Sequence, residues 1–273
     1  VSGGAGGVLT LFLRRELRDI RGNARVWPLY FVFPFIGIGV PVLLAALAPV
    51  WVEGGRPVDR DAQVLINLVQ RLTEFRGLPP AEAIARYLLR TAAGLFLLMP
   101  VAMASTSAAF SIVGEKQQRT LEPILATPIS DRQFLLAKLL ASTAPTVIAT
   151  IVVAVVATVA VDLMTVARYG KLLLPDRYWA VSALVLGPLL AVAVALVTMR
   201  LSAKATDPQA TVQTTAFLIL PAFLIGLALF GKILTTYFPA LLISCGIVAL
   251  IDVVLFRGNV RRFQREEILT RWA

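Results

Sequence analysis

Three sets of residues in this 273-residue chain have types that could do chemistry. The first is a pair of acids, Asp162 and Asp252, each set at or inside a long apolar run. Two aspartates facing each other in a membrane could share a water and act as an acid/base pair. Asp162 closes the third apolar run and Asp252 lies within the sixth, so the two are expected to face opposite leaflets and to share nothing. Asp252 is instead expected to pair with Arg257 or Arg261, with a role in ion or substrate passage as the alternative. The second set is "GLALFGKI", Gly226 to Ile233, which has the spacing of a phosphate-binding loop. It fails because Ile233 stands where a Mg²⁺-binding hydroxyl is needed and because its glycines sit in an apolar run rather than after a buried strand. The third set is "GEKQQRTLEPILATPISDRQF", Gly114 to Phe134, an ordered mix of charge, Thr and Pro between two apolar runs. The sequence contains no histidine, which removes His-based metal sites and His general-base catalysis. No catalytic, cofactor or metal residue is therefore expected in the chain.

The elements that carry these residues follow from composition. Hydrophobic residues make up 58% of the chain and charged residues only 15%. Soluble proteins are nearer 45–50% apolar, so an all-α integral membrane protein is expected. A span needs about 20 apolar residues to cross a ~30 Å hydrocarbon core. Six runs qualify, at about 28–50, 88–112, 134–161, 178–199, 211–230 and 237–256. Ser130 and Gln133 have capping-box spacing at the start of the third. "TDPQ", Thr206 to Gln209, marks the start of the fifth, with Thr206 or Asp207 as cap and Pro208 in the first turn. Pro34, Pro41, Pro100, Pro145, Pro188 and Pro221 fall inside five of the spans. They are either ordinary membrane prolines or kinks in helices that line a path.

Outside the spans, residues 8–25 repeat Leu9, Phe12 or Leu13, Leu17 and Ile20 at helical spacing, with Arg14, Arg18, Arg21 and Arg25 on the opposite stripe and Arg15 in the same segment. This pattern predicts an interfacial helix whose arginines meet lipid phosphates. No cleavable signal peptide is expected, because the first apolar run is too long for one. In segment 52–87, Leu65, Leu68, Leu72 and Phe75 are expected on one helical face. That helix would lie along the outer membrane surface or cap the bundle. The lone Cys245 cannot form an internal disulfide. The net charge of +10 is read as loop charge that sets topology, not as a nucleic-acid footprint. With the N-terminus inside, sixteen of the 26 basic residues fall in inner segments, and the outer ones are diluted by seven acids. Both termini are thus expected in the cytoplasm, together with the stretch 113–133.

That stretch reads as a short amphipathic helix parallel to the membrane, joined to two spans and broken by Pro128 before the Ser130 cap. A cytoplasmic partner engaging it could move both spans together. The sequence from Gly114 to Ala141 resembles the signature of ABC-2 type permeases, the membrane subunits of ABC exporters. Their usual text has Glu-Lys, a basic residue, Gly or Arg, Thr-Leu-Glu, a small-Thr-Pro step and a later Lys. Glu115, Lys116, Arg119, Thr120, Leu121, Glu122, Thr127, Pro128 and Lys138 occupy those places here. Gln118-Arg119 stands where many members have Arg-Gly. "RRELRDI" (Arg14 to Ile20), "SAKATDPQATVQ" (Ser202 to Gln213) with Pro221, and "RFQREEILTRW" (Arg262 to Trp272) are similar to the family's surface helix, fifth-helix start and basic tail.

The resemblance implies one transmembrane permease domain over 1–273, paired with a second copy or a homologous permease in a prokaryotic inner membrane. Separate ABC ATPase subunits would bind ATP and Mg²⁺ and drive it through Glu115, Lys116, Arg119, Thr120, Leu121, Glu122 and Leu125, so the chain itself would not be an enzyme. Two readings of another class stand beside this one. An ATPase-independent transporter would carry several ionisable residues in mid-membrane. A membrane anchor or assembly protein would use the 113–133 loop for docking alone. The cargo is not legible in the residues.

Overall fold

A computed structural model describes residues 28–53, 60–117, 130–202, 205, 207–229 and 237–262. The helices in chain order are α1 (Leu29–Glu53), α2 (Arg60–Arg71), α3 (Pro80–Phe96), α4 (Leu98–Gln117), α5 (Asp131–Tyr169), α6 (Arg177–Val181), α7 (Gly187–Ser202), α8 (Pro208–Leu229) and α9 (Phe238–Arg262). A 3₁₀ turn, Thr73–Phe75, follows α2, and a π-helical turn, Ser182–Leu186, joins α6 to α7. Six helical stretches are long and apolar enough to cross a membrane: Tyr30–Val50, Pro80–Val113, Arg132–Tyr169, Arg177–Ser202, Pro208–Gly226 and Phe238–Arg261. The protein is an all-α integral membrane protein.

Two helix starts follow the rules read from the sequence. At α5, the Gln133 amide donates to Ser130 Oγ at 3.3 Å and the Ser130 amide donates to Gln133 Oε1 at 3.1 Å. This satisfies two of the donors that a helix start leaves open. At α8, the amides of Gln209 and Ala210 donate to the Asp207 carboxylate at 3.3 and 3.0 Å, with Pro208 as the first helical residue.

The prolines divide into two kinds. Pro34, Pro41, Pro145 and Pro221 lie inside unbroken helices. Pro100 and Pro188 coincide with changes in the backbone. Pro100 has no N–H to offer the Phe96 carbonyl and its ring crowds that oxygen. The helix is interrupted one residue later, at Leu97, whose amide turns back to Gly94 O at 3.2 Å. Pro188 likewise leaves the Leu184 carbonyl without its usual donor, and the preceding turn widens so that the Gly187 amide reaches Ser182 O. A Cβ on Gly187 would sit 3.3 Å from that same oxygen, 3.4 Å from Thr150 Cγ2 and 3.6 Å from Pro100 Cγ. The two irregular helices therefore meet α5 where the lack of a side chain lets them close up.

The helix pair α3–α4 is the centre of the bundle, with 78% of its most apolar stretch buried. α4 packs most extensively on α7, α3 on α1, and both α1 and α7 touch α5. α8 and α9 lie at the edge, on α4/α7 and on α7 respectively. One core cluster gathers Phe75, Phe96, Tyr178, Trp179, Leu186 and Leu241. A second joins Ala104, Ala108, Leu135, Leu139, Ala195 and Leu196, where the small side chains let α4, α5 and α7 approach closely. Buried hydroxyls inside the bundle bond mostly within their own helices, as Thr143 Oγ1 does to Leu139 O (2.7 Å) and Thr150 Oγ1 to Thr146 O (2.8 Å). This is how polar side chains are satisfied where no water competes.

α1 approaches α5 closely at Gly37, where an added Cβ would stand 3.0 Å from Val153 Cγ1 and 3.1 Å from Met99 Sδ. Gly37→Leu should force these helices apart and lower stability by about 1–3 kcal/mol, as overpacked cores do. Gly39→Leu, which meets nothing within 4 Å, is the matched control. Thermal unfolding in detergent that ranks the two variants equally would refute the close contact.

Two expectations need correction. The helical face expected to carry Leu65, Leu68, Leu72 and Phe75 is turned. Ile66, Val69 and Phe75 are buried, while Leu68 is 53% exposed. α2 ends at Arg71, so Leu72 and Phe75 are placed by the 3₁₀ turn rather than by the helical period. The third apolar run does not end before Asp162, because α5 continues to Tyr169 and stops at Gly170, whose φ of 65° suits glycine. The expected interfacial helix 8–25 and most of the stretch 113–133 lie outside the described residues.

Candidate functional site

Of the residues that the sequence singles out, Glu115 and Lys116 fall in the last turn of α4. Arg119, Thr120, Leu121, Glu122 and Leu125, and Arg14, Arg15 and Arg18, lie outside the described residues. What is described is the frame that holds the 118–129 stretch: the end of α4, the start of α5, and the contacts between them. Ser130 anchors one side through its capping box. Two turns further on, Lys138 is fully buried. Its ammonium donates to the Ser111 carbonyl at 3.1 Å and lies 5.3 Å from the centre of the Phe134 ring.

Ser111 lies on α4 about two turns before Gln117, the last residue described in that helix. A lysine there serves as a charged strut between the two helices. Leu135 and Leu139, one turn before and one residue after Lys138, pack with Ala108 and Ile112 of α4. The strut is thus embedded in an apolar contact. The sequence alone counts Lys138 as topology charge and as part of a signature. Its burial shows only in the helical register, where positions 135, 138 and 139 share the face toward α4.

The opposite end of the bundle holds a polar cluster that the sequence does not announce. Glu74, from the 3₁₀ turn, accepts from Arg90 of α3, from Arg177 of α6, and from the Tyr178 hydroxyl at 3.3 Å. Arg90 Nε also donates to Asp176 at 2.9 Å. The other oxygen of Asp176 caps α6 by accepting from the Trp179 amide at 2.8 Å. The Arg90 guanidinium lies between two rings, 4.1 Å from the Tyr178 centroid and 4.8 Å from that of Phe75. Arg177 lies 5.0 Å from the Phe238 ring at the start of α9. Beside this, Glu82 accepts from Arg86 at 2.9 Å and from Lys171 at 3.4 Å. Elements distant in sequence are thereby tied across the end of the bundle. These residues read in the sequence only as loop charges. The one signal was an arginine at 90, where "YLLRTAAGLF" is otherwise apolar.

The two aspartates do separate as expected, but Asp252 lacks the partner expected for it. Asp162 Oδ1 accepts the amides of Leu173 and Leu174 at 3.1 and 2.9 Å, so it holds the chain that returns from α5 toward α6. Asp252 is buried, and among the described residues neither carboxylate oxygen has a hydrogen-bond partner. It does not pair with Arg257 or Arg261. On a helix these lie about 140° and 180° around the axis from residue 252, which aims them away from its face. Among the described residues no group of three or more His, Cys, Asp or Glu could hold a metal ion.

Residues 11–260 match the family model of the ABC-2 family transporter proteins. No curated protein and no solved structure matches the chain. The family match spans all six membrane-crossing helices and the two helix ends that frame the 118–129 stretch. The chain belongs to the ABC-2 family of membrane transporter proteins.

Proposed function

We propose that the chain is the permease subunit of an ATP-driven exporter and forms the substrate path with a second copy or a homologous permease. Separate ATPase subunits bind ATP and Mg²⁺ and dock on residues 113–133. In this reading Glu115, Lys116, Arg119, Thr120 and Glu122 orient a short coupling helix, and Leu121 and Leu125 form its apolar docking face. Arg14, Arg15 and Arg18 hold the N-terminal segment at lipid phosphates of a prokaryotic inner membrane.

The observation that carries the proposal is the frame around that stretch in a chain of this family. The Lys138–Ser111 contact and the packed leucines join α4 to α5, so a push on the connecting segment moves two central helices as one lever. A loop that only fixed topology would need no such brace. Dimerisation follows from the path itself. Six spans with few polar side chains supply half of a conduit, and close-packed apolar helices are the usual membrane contact.

The direct test is to purify the tagged chain from its native membrane and look for an ATP-binding-cassette subunit bound in stoichiometric amount. Topology can be tested in the same cells. With both termini in the cytoplasm, Asp59→Cys and Lys171→Cys, each in a Cys245→Ser background, should react on intact cells with an impermeant thiol reagent, and Gln117→Cys should not. Labelling at 117 with protection at the other two sites would invert the arrangement and remove the ATPase docking site from the cytoplasm.

A further inference from the structure

Cys245, Asp252 and Asn259 follow one another at seven-residue steps along α9, and all three are buried. Seven residues are close to two turns, so they form one stripe. Asn259 shows what the stripe faces, because its Nδ2 donates to Leu196 O of α7 at 2.9 Å. α7 and α9 run in the same direction, each being followed back from the ion-pair end of the bundle. In that register Asp252 lies level with Leu189, about 10 Å above the Asn259 contact. This is directly below the π-turn at Ser182–Leu186 and beside Pro188.

Asp252 is 8% exposed, and among the described residues neither of its oxygens has a hydrogen-bond partner. The charged and titratable side chains of the packed elements that the structure describes are placed elsewhere. Arg200 of α7 is exposed at the far end of its helix. Arg177 and Tyr178 of α6 are held by Glu74. On α5, Lys138 is held by Ser111 O, Asp162 by the amides of Leu173 and Leu174, Arg132 is exposed at the first turn, and Arg168 and Tyr169 lie in the last. The π-turn has none. Arg257 and Arg261 point away on α9 itself, and Cys245 lies two turns above.

An ionised carboxylate in such surroundings would lose its hydration and gain nothing in return, at a cost of several kcal/mol. The neutral acid avoids most of that cost, and its hydroxyl can donate to a carbonyl. A purely structural polar residue would have a partner, as Asn259 and Asp162 do. We propose that Asp252 is a proton-binding site inside the membrane, holding its proton while the α7–α9 seam is closed. Release needs water, which reaches the site when the seam parts. The π-turn and Pro188 place the weakest stretch of the α7 backbone at the level of Asp252. The unpartnered Ser182 Oγ lies in that same turn. The inference rests on the fold alone and stands apart from ATPase coupling.

The test is infrared spectroscopy of the purified full chain in lipid vesicles, native minus Asp252→Asn. The neutral isostere keeps the shape of the side chain and needs no partner charge, so it should fold. The expected result at pH 7 is a carbonyl band of a protonated carboxylic acid that is present in the native protein and lost in the variant. The band should be unchanged when potassium is replaced by sodium. Asp252→Glu should retain such a band at a shifted position. An ionised-carboxylate band in its place at pH 7 would overturn the proposal. Loss of the acid band on adding sodium would make Asp252 a cation site and overturn it equally.

Discussion

Arg90→Ala should destabilise the bundle more than any other single removal of a charge at its ion-pair end. Among the described residues Arg90 is the one cation that touches both acids of the network, Glu74 and Asp176, and its side chain is only 11% exposed. Its loss removes two charge-assisted hydrogen bonds and the guanidinium between the rings of Phe75 and Tyr178. Each anion keeps other partners: Glu74 retains Arg177 and the Tyr178 hydroxyl, and Asp176 retains the Trp179 amide. The two acid side chains are also about a quarter exposed, so solvent screens part of the remaining charge. The cost should therefore be about 2–3 kcal/mol, below the roughly 3–5 kcal/mol of a fully buried pair that loses one member. For a chain of this size that is a fall in melting temperature of roughly 4–12 °C. Arg90→Lys should recover only part of it, because an ammonium cannot span the two carboxylates and stack at once. Arg86→Ala is the control. Arg86 is 34% exposed and makes an i,i+4 pair with Glu82, which is buried but keeps Lys171, so its loss should cost about 1–2 kcal/mol, less than that of Arg90. Equal melting temperatures for Arg86→Ala and Arg90→Ala would mean that the network is a solvated surface.

The contrast between these two arginines shows why the sequence revealed the spans but not the network. Apolar length is a local property, and so are the caps at Ser130 and Asp207, each made by residues two or three apart. These were readable. The partners of Arg90 lie 16 and 86 residues away, and Tyr178 meets Glu74 across 104. No periodicity encodes such a meeting. The same holds for Asp252. Nearby arginines suggested an ion pair, but distance along a helix is not direction around it, and the stripe shared with Asn259 decides where the carboxylate points. Lys138 lies between these cases. It fell on the buried face by simple helical register, yet its charge made a surface position the natural reading. Where membrane helices are interrupted was half legible: six prolines were visible, but only Pro100 and Pro188, each near a neighbouring helix with a small residue or another proline, coincide with a changed backbone.

The second large effect is expected at residues 113–133, the segment proposed to dock an ATPase subunit. Glu115→Ala combined with Leu121→Ala should leave expression and membrane insertion unchanged. Neither residue lies within the span Pro80–Val113 or the one that starts at Arg132. The hydrophobic segments that direct insertion are therefore intact. If residues 113–133 are a docking helix, Leu121 is an apolar anchor and Glu115 an orienting charge at its start. Truncating one packed anchor typically costs on the order of 2 kcal/mol, so binding of the ATPase subunit should weaken about 30-fold or more. If instead the segment is a solvated turn, the same two changes should each matter by less than about 0.5 kcal/mol. The brace behind the segment sharpens the comparison. The Lys138–Ser111 contact involves neither substituted residue, so the α4–α5 lever should remain assembled in the double variant. Melting temperature should stay at the native value while partner binding, or the link between ATP hydrolysis and transport, is lost. A double variant that retains its ATPase on purification and transports at the native rate would show that the segment sets topology and nothing more.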